Sequence, residues 1–442
     1  IAVRRKRVLK MNSDEFRKYG KVMVDYVADF WNHIRDRRPL PDVKPGYIKE
    51  VVPNHAPSEP EDWSTIFNDL EEVIMKGNTY WHHPHFFAYF PTACSYPAIM
   101  ADILSGGIAG IGFSWNSGPA MTELEMATLD WLVDVLALPE HFKCTASDAT
   151  FIAIISARAK AVEEIKNGLW MVNNDLDKTL EAEQVDADIL YPHFHDPAVF
   201  QRFVAYCSDQ AHSSVDKGAI LSGVRLRKLK SSIDPKLKNY TVTKQTLEAA
   251  ITVRFLHAPN SVIMSKGVEL VDSFNFNPHK AMLVNFDCSP MWFKDGVTVT
   301  KYFNVDATYL KHEHQAVAAD YRHLQVALGR RFRALKIWFV LRKLGVGYIQ
   351  NLLRKQNHQA MLFASLITES NDFELFVPQH LGLVCFRIKD STNEENEALC
   401  GAINDDRRIH LVPSKNNLAS DYCLILVYTQ HLAIPSNFLH DD

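Results

Sequence analysis

Apolar residues recur at steps of three and four between residues 12 and 35, through Phe16, Gly20, Met23, Val27, Phe30 and Ile34, and this periodicity predicts an amphipathic helix. Asn12 followed by Glu15 predicts its start, the spacing at which a cap and its third residue satisfy each other's backbone donors. The proline-rich stretch from Pro39 to Pro60 breaks regular structure, and a second helix is expected from about Trp63 to Met75. Two helices on an extended arm hold too little sequence for a core of their own. Docking onto the main body or onto a second subunit is therefore expected.

From about residue 96 the pattern turns to alternating helices and short apolar strands, the signature of an α/β domain with a largely parallel sheet. "MTELEMATLDWLVDVLAL", 121–138, reads as a helix; "FVAYCS", 203–208, "VELVDSFNF", 268–276, and "MLVNFD", 282–287, read as strands. Ligands gather at strand ends in such sheets, which singles out Asp209, Gln210, His212 and Ser213 after one strand and Asn277, His279 and Lys280 after another. "TASDATFIAIISARAKAV", 145–162, predicts a helix opened by Thr145, Ala146 and Ser147. "GRRFRALKIWFVLRKLGV", 329–346, is a basic amphipathic helix leading into a C-terminal α+β unit that contains "LGLVCFRIK", 381–389. The expected division is an arm over 1–95, a large α/β domain over 96–335 and a small α+β domain over 336–442.

Composition narrows the function class. The 442 residues are 47% hydrophobic and 23% charged with a net charge of -4, enough chain for large cores but no field for nucleic acid. Arg4, Arg5, Lys6 and Arg7 form a short terminal cluster, read as a solvated tail. No apolar run approaches the ~20 residues that span a bilayer, and no signal-peptide h-region opens the chain, so the cytoplasm is the expected location. Seven cysteines without a CxxC pair read as reduced and mostly structural. "WHHPH", 81–85, and "KHEH", 311–314, lack zinc-ligand spacing, so no metal is expected. "PTACS", 91–95, is not a nucleophile elbow.

Lys280 carries the sharpest chemical question. It follows Asn-Pro-His and precedes an apolar run through Val284 to Phe286, although an ammonium ordinarily sits on solvated surface. Partial desolvation would lower its pKa and leave an amine able to form a Schiff base; a surface lysine at a strand end is the other reading. Thr145, Ala146 and Ser147 suit a phosphate anchor at a helix N-terminus, or a simple cap. His212 suits stacking on a planar ring or proton transfer, or a hydrogen-bonded loop position.

Taken together, "FFAYFPTACSYPAIMADIL", "GFSWNSGPAMTELE", "SDQAHSSVDKGA", "DSFNFNPHK" and "TYLKHEHQ...DYRHLQVALGRRFRALK" resemble the group II pyridoxal-phosphate decarboxylases, above all the animal aromatic-L-amino-acid decarboxylases. The motifs run in family order from about residue 11 to 415. The resemblance implies the aspartate-aminotransferase-like (fold type I) α/β fold with an N-terminal helical arm and a small C-terminal α+β domain. It also implies a homodimer, and pyridoxal 5'-phosphate held as a Schiff base on Lys280. Ala146, Ser147, His212, Asn277, His279 and Lys280 are the implied cofactor contacts, with His212 stacked on the ring. Tyr89, Phe90, Thr92, Ile111 and Phe113 are the implied substrate wall, where aromatic surface suits an aromatic side chain. Tyr309 matches the loop tyrosine that protonates the substrate carbon once carbon dioxide leaves. Gly329 sits where aromatic decarboxylases carry glycine and histidine decarboxylases tend to carry serine.

The departures matter as much. Where the family has a long βαβ stretch with a D-x-A motif, this chain has only "ITVRFLHAPNSVIMS" between "TLEAA" and "KGVEL", an internal gap near 250–267. The family aspartate there pairs with the pyridine nitrogen, and no residue here takes its place. A glycine-rich piece before "TASDAT" is also absent, Ala281 stands where tryptophan is common, and Asn116 to Gly118 depart from the usual pattern. The expected activity is decarboxylation of L-DOPA, 5-hydroxytryptophan or tyrosine to the amine, impaired by that gap. The alternatives are a histidine decarboxylase-like enzyme, oxidative formation of an aromatic acetaldehyde, and a catalytically inactive paralogue acting as a dimeric scaffold.

Overall fold

Asn12 starts the first helix as its spacing with Glu15 predicts. Its side-chain oxygen accepts from Asp14 N and Glu15 N at 2.9 and 3.0 Å, while Asn12 N donates to Glu15 Oε2 at 2.9 Å, closing a capping box at the head of α1 (Ser13–Asn32). The computed structural model describes residues 11–89, 92–143, 146–148, 150–166, 200, 203–234, 240–243, 245–247, 268–303, 320–325, 328–415 and 422–427. The second predicted helix begins on schedule as α2 (Trp63–Asn68) and continues as a wider turn over Leu70–Ile74. Glu71 joins the two: it takes Tyr26 Oη at 2.6 Å and Arg37 Nη2 at 2.8 Å, while Arg37 also donates to Tyr80 Oη at 2.8 Å.

Contacts divide the chain into one unit of residues 93–350 and another of residues 1–92 with 351–442. In the first, α3 (Tyr96–Ile108) and α4 (Pro119–Val135) precede β1 (Ala146–Asp148) and α5 (Thr150–Lys166). Next come β2 (Val204–Ser208), α6 (Ser213–Ser222) and β3 (Arg225–Leu229), with β3 parallel to β2. A small antiparallel pair, β4 (Ser232–Ile233) and β5 (Tyr240–Thr241), follows. Then come β6 (Ser273–Asn275), the one-turn α7 (Pro278–Ala281), β7 (Pro290–Phe293) and α8 (Gly296–Tyr302). β1, β7 and β6 form one sheet in that order, antiparallel at both joints. Fully buried Trp292 lies at its centre, and Met291, Phe293, Ile152, Val299, Tyr321 and Leu324 make the adjoining core.

Four sequence expectations are corrected here. The sheet is not largely parallel: among the described strands only β2–β3 pairs that way, and it is not hydrogen-bonded to the β1–β7–β6 sheet. "MLVNFD" is not a strand. Met282, Leu283 and Val284 are buried as their apolarity demands, but Leu283 has φ +62°, and side chains take the backbone carbonyls a strand partner would use. Ser95 Oγ donates to Leu283 O at 2.7 Å, and Lys336 Nζ donates to Asn285 O and Asp287 O at 3.1 and 3.2 Å. Ala146 and Ser147 do not open a helix. They are extended opposite Trp292 and Met291 of β7, and the helix starts at Thr150. "VELVDSFNF" is a strand only from Ser273, after a 3₁₀ turn at Val268–Leu270.

The long α9 (Arg333–Glu369), interrupted where Gly345 takes φ +75°, leads into the other unit. There β8 (Phe373–Leu375), β9 (Leu383–Ile388), β10 (Val412–Lys415) and β11 (Tyr422–Val427) form an antiparallel sheet in the order β10–β11–β9–β8, with α10 (Asn393–Asp406) between β9 and β10. Ile367, Phe386, Cys400, Leu411 and Leu424 make its core, and Phe87 packs against it. The end of the arm is tied on by backbone: Phe87 N donates to His410 O and His410 N to His85 O, both at 3.0 Å. The docking that the arm's composition demands thus includes the C-terminal sheet of the same chain.

Candidate active site

Strand direction gathers the candidate residues. Because β7 is antiparallel to both neighbours, β1 and β6 run the same way and leave the sheet at one end. Ser147 and Asn275 both pair with Met291, so they lie two strand spacings apart, about 10 Å. Beyond β1 the chain enters the N-terminus of α5, and beyond β6 it enters Asn277 and the turn bearing Lys280. A helix N-terminus with its unpaired N–H groups and positive dipole end favours an anion.

His212 reaches the same end by helix packing. A Cβ on buried Gly218 of α6 would come within 2.7 Å of Ile154 Cδ1 and 3.8 Å of Phe151 Cα, and further along Arg158 of α5 donates to Ser222 O. Contacts advance in step along both helices, so α5 and α6 run parallel and their N-termini lie side by side. His212 is the N-cap of α6: its Nδ1 accepts from Ser214 N at 3.1 Å and lies 3.0 Å from Ser214 Oγ. An Nδ1 that accepts a backbone N–H carries no proton, so in the neutral ring the proton is on Nε2. The ring itself is exposed.

Lys280 sits on a helix of four residues, with Lys280 N bonded to Asn277 O and Met282 N to Pro278 O at 2.9 and 2.8 Å. One turn does not persist alone. It is held from behind. His279 is buried, with Nδ1 bonded to Cys288 O and 3.2 Å from Cys288 N, and its ring edge-on to Phe286 at 5.2 Å. Burial pushes its pKa below the usual imidazole value, against the opposing bond to Cys288. Its backbone oxygen accepts from Ala93 N at 2.5 Å. The loop after Lys280 is fastened by Ser95, by Lys336, and by Arg333, whose Nη2 lies 2.8 Å from Asp287 Oδ2. Burial works to raise the Asp287 carboxyl, but the Arg333 guanidinium, a backbone hydrogen bond and the Lys336 ammonium together hold the group below the ordinary carboxylate range. Asp209, at the end of β2, accepts from Ser231 Oγ at 2.6 Å and Ser231 N at 3.2 Å; these bonds hold it low although burial opposes them. Both carboxylates beside these loops are therefore already engaged.

Of the expected substrate wall, Phe113 O accepts from Arg322 N at 3.0 Å, and Arg322 pairs at 3.2 Å with buried Asp320, which also takes Trp115 N at 2.9 Å. Ile111 is exposed, and a Cβ on Gly329 would lie 3.6 Å from its Cγ2. Tyr89 and Thr92 belong to the other unit. There Tyr89, at φ +57°, stacks on Trp81 with ring centroids 5.4 Å apart and lies across His410 at 5.8 Å. Phe90 and Tyr309 lie outside the described residues, as do the side chains of Ala146 and Ser147. The structure thus brings the ends of β1 and β6, His212 and Lys280 to one end of a sheet. Sequence reasoning missed Lys336, Arg333, Asp287 and Ser95. Lys336 is four residues before Val340 and next to Ile337, both buried, a spacing that places it on the inner face of its helix.

This arrangement fits pyridoxal phosphate in three respects: an anion-favouring helix terminus, a lysine fixed at the same sheet end, and an exposed imidazole beside that terminus. The comparisons agree. A family model described as the pyridoxal-dependent decarboxylase conserved domain matches residues 45–182 and 247–389. The aromatic-L-amino-acid decarboxylase of Drosophila melanogaster is 41% identical over 494 residues, covering 98% of this chain and 90% of that protein. That of Mus musculus is 40% identical over 462 residues, covering 92% of each. The aligned span of 494 positions exceeds the 442 residues of the whole chain, so the insect relative carries internal residues that this chain lacks. Among solved structures, Catharanthus roseus tryptophan decarboxylase in complex with L-tryptophan matches with a TM-score of 0.79 and 26% identity, covering 95% of each chain. Rhodiola rosea 4-hydroxyphenylacetaldehyde synthase matches with a TM-score of 0.77 and 25% identity, covering 96% of this chain and 95% of the other.

The Asp287–Arg333 pair predicts a pH signature. A carboxyl whose folded pKa is depressed contributes stability that is fully present above its unfolded pKa, about 3.9, and lost as pH falls through the folded value. Urea unfolding of the parent and Asp287→Asn should differ by a constant amount from roughly pH 5 to 7, and the difference should shrink below about pH 4. A difference that grows on acidification would contradict the pairing.

Proposed function

The chain belongs to the pyridoxal-dependent decarboxylase family, and from that premise we propose that it converts aromatic L-amino acids to the corresponding amines and carbon dioxide. L-DOPA, 5-hydroxytryptophan and tyrosine are the substrates to test. The observation that carries the reading is the shared end of the β1–β7–β6 sheet, where a helix N-terminus, the α6 cap at His212 and the Lys280 turn lie together. Identity of about 40% along most of the chain to aromatic-L-amino-acid decarboxylases favours an aromatic substrate over histidine.

When bound, pyridoxal phosphate supplies the electron sink for the carbanion that carbon dioxide leaves behind. The chain's own residues do the rest. The Ala146–Ser147 strand end, with the α5 N-terminus and Asn277, holds the phosphate side; Lys280 supplies the amine that anchors the cofactor and exchanges with substrate. His212 would stack on the cofactor ring, its neutral tautomer, with the proton on Nε2, fixed by Ser214 N. His279 supports the turn from behind through Cys288. Ile111 and Phe113 would face the substrate's aromatic side chain, and Tyr309 would give the proton that completes the amine. We place the enzyme in the cytoplasm: the six described cysteines are free thiols, as a reducing compartment requires, and among the described residues no helix is long and apolar enough to cross a membrane. A homodimer is supported by apolar side chains left exposed on α1, at Phe16, Val22 and Val24, and on α3, at Met100, Ile103, Leu104 and Ile108.

Three outcomes test this reading. Lys280→Ala should lose the visible absorbance of lysine-bound cofactor and all amine formation while keeping the parent's far-UV circular dichroism; a surviving band means another residue holds the cofactor. Tyr309→Phe should still bind cofactor but divert product toward aldehyde and ammonia with uptake of dioxygen, and amine formation at the parental rate would remove Tyr309 from its role. No Asp or Glu lies between Ala250 and Gly267, where the family aspartate would protonate the pyridine nitrogen. A barrier about 4 kcal/mol higher would slow decarboxylation roughly a thousandfold, so restoring a family-length segment with its D-x-A motif should raise kcat by orders of magnitude. Equal turnover with and without that segment would show that another group supplies the charge.

A further inference from the structure

Lys336 is a charged side chain only 5% exposed, and nothing in the proposed reaction uses it. Its Nζ donates to Asn285 O at 3.1 Å and Asp287 O at 3.2 Å, and lies 3.6 Å from Asp102 Oδ1. All three partners belong to, or brace, the segment that follows Lys280. Asn285 Nδ2 reaches Asp102 Oδ2 at 3.4 Å and Asn285 Oδ1 takes Ser95 N at 3.2 Å, so α3, the loop and α9 meet at one ammonium. A buried charge is costly unless it is paired and hydrogen-bonded. This one meets two carbonyls and a carboxylate, and those carbonyls belong to a stretch with no strand partner.

We propose that Lys336 is a positioning residue for Lys280: its ammonium clamps residues 285–287 to α9, and that loop holds the one-turn helix on which Lys280 stands. The connection is short and continuous. Leu283 is fixed by Ser95, Asn285 and Asp287 by Lys336, the Asp287 carboxylate by Arg333, and Cys288 by the ring of His279, the residue preceding Lys280. Lysine suits the place because three donors on one small charged head can serve three acceptors in different directions. Replacement by methionine keeps the stem and leaves two carbonyls without a donor. The inference rests on Lys280 being the cofactor lysine, and its test separates the two claims.

Lys336→Met is compared with Val340→Ala, a cavity mutant one helical turn along the same helix, at temperatures adjusted so that both lie equally far below their melting points. Hydrogen exchange is measured first, without cofactor. Amides of residues 282–288 should exchange faster in Lys336→Met and at the parental rate in Val340→Ala; parental protection of that loop in Lys336→Met overturns the clamp. Pyridoxal phosphate is then titrated, following the visible band of lysine-bound cofactor. Lys336→Met should raise the dissociation constant by about tenfold or more, while Val340→Ala should stay near the parent. Equal effects of the two variants, or an unchanged constant in Lys336→Met, overturn the positioning role. A parent without the visible band defeats the assignment of Lys280 instead, and is read apart from the loop result.

Discussion

The candidate site depends on the antiparallel placement of β7 between β1 and β6. With β7 reversed against both neighbours, the two outer strands share a direction, and the helix after one and the lysine turn after the other emerge together. The interior of that arrangement is Trp292, fully buried between Ala146 and Phe274 in register. Packing of α6 alongside α5 in the same sense then adds the His212 cap to that end. No local sequence signal encodes this convergence; it is a property of strand order and helix direction.

What was legible in the sequence was what local physics decides. Asn12 and Glu15 announced a capping box, the 121–138 periodicity announced α4, and "FVAYCS" announced β2. The failures came where tertiary partners override local pattern. "MLVNFD" has the apolarity of a buried strand, but Ser95 and Lys336, far away in sequence, take its carbonyls. Ala146 and Ser147 look like a helix start, but β7 offers them a strand partner. Lys336 was hidden inside a helix read as basic and amphipathic, where lysine is assumed to face water. Its spacing to Val340 carried the contrary signal.

The same physics explains why this chain differs from an unbroken α/β body. Two parallel strands and three antiparallel ones stand as separate sheets among the described residues, and an aligned relative runs through more positions than this chain possesses. Unpaired strand edges are unfavourable when buried, so side-chain fastening matters more here. Ser95, His279, Arg333 and Lys336 supply it around the Lys280 turn. The proposed chemistry at that turn needs a fixed amine more than a complete sheet, while a carboxylate to keep the pyridine nitrogen protonated is what the short 250–267 connection puts at risk.

Lys280, on the turn at the end of β6, is the proposed covalent cofactor site. Reduction of the pyridoxal phosphate-loaded protein with borohydride, followed by proteolysis and mass spectrometry, reads the attachment point directly. One predominant pyridoxyl-modified peptide is expected, spanning Asp272 to Phe286 and carrying its label on Lys280. A label spread over surface lysines, or placed on Lys336, would contradict it.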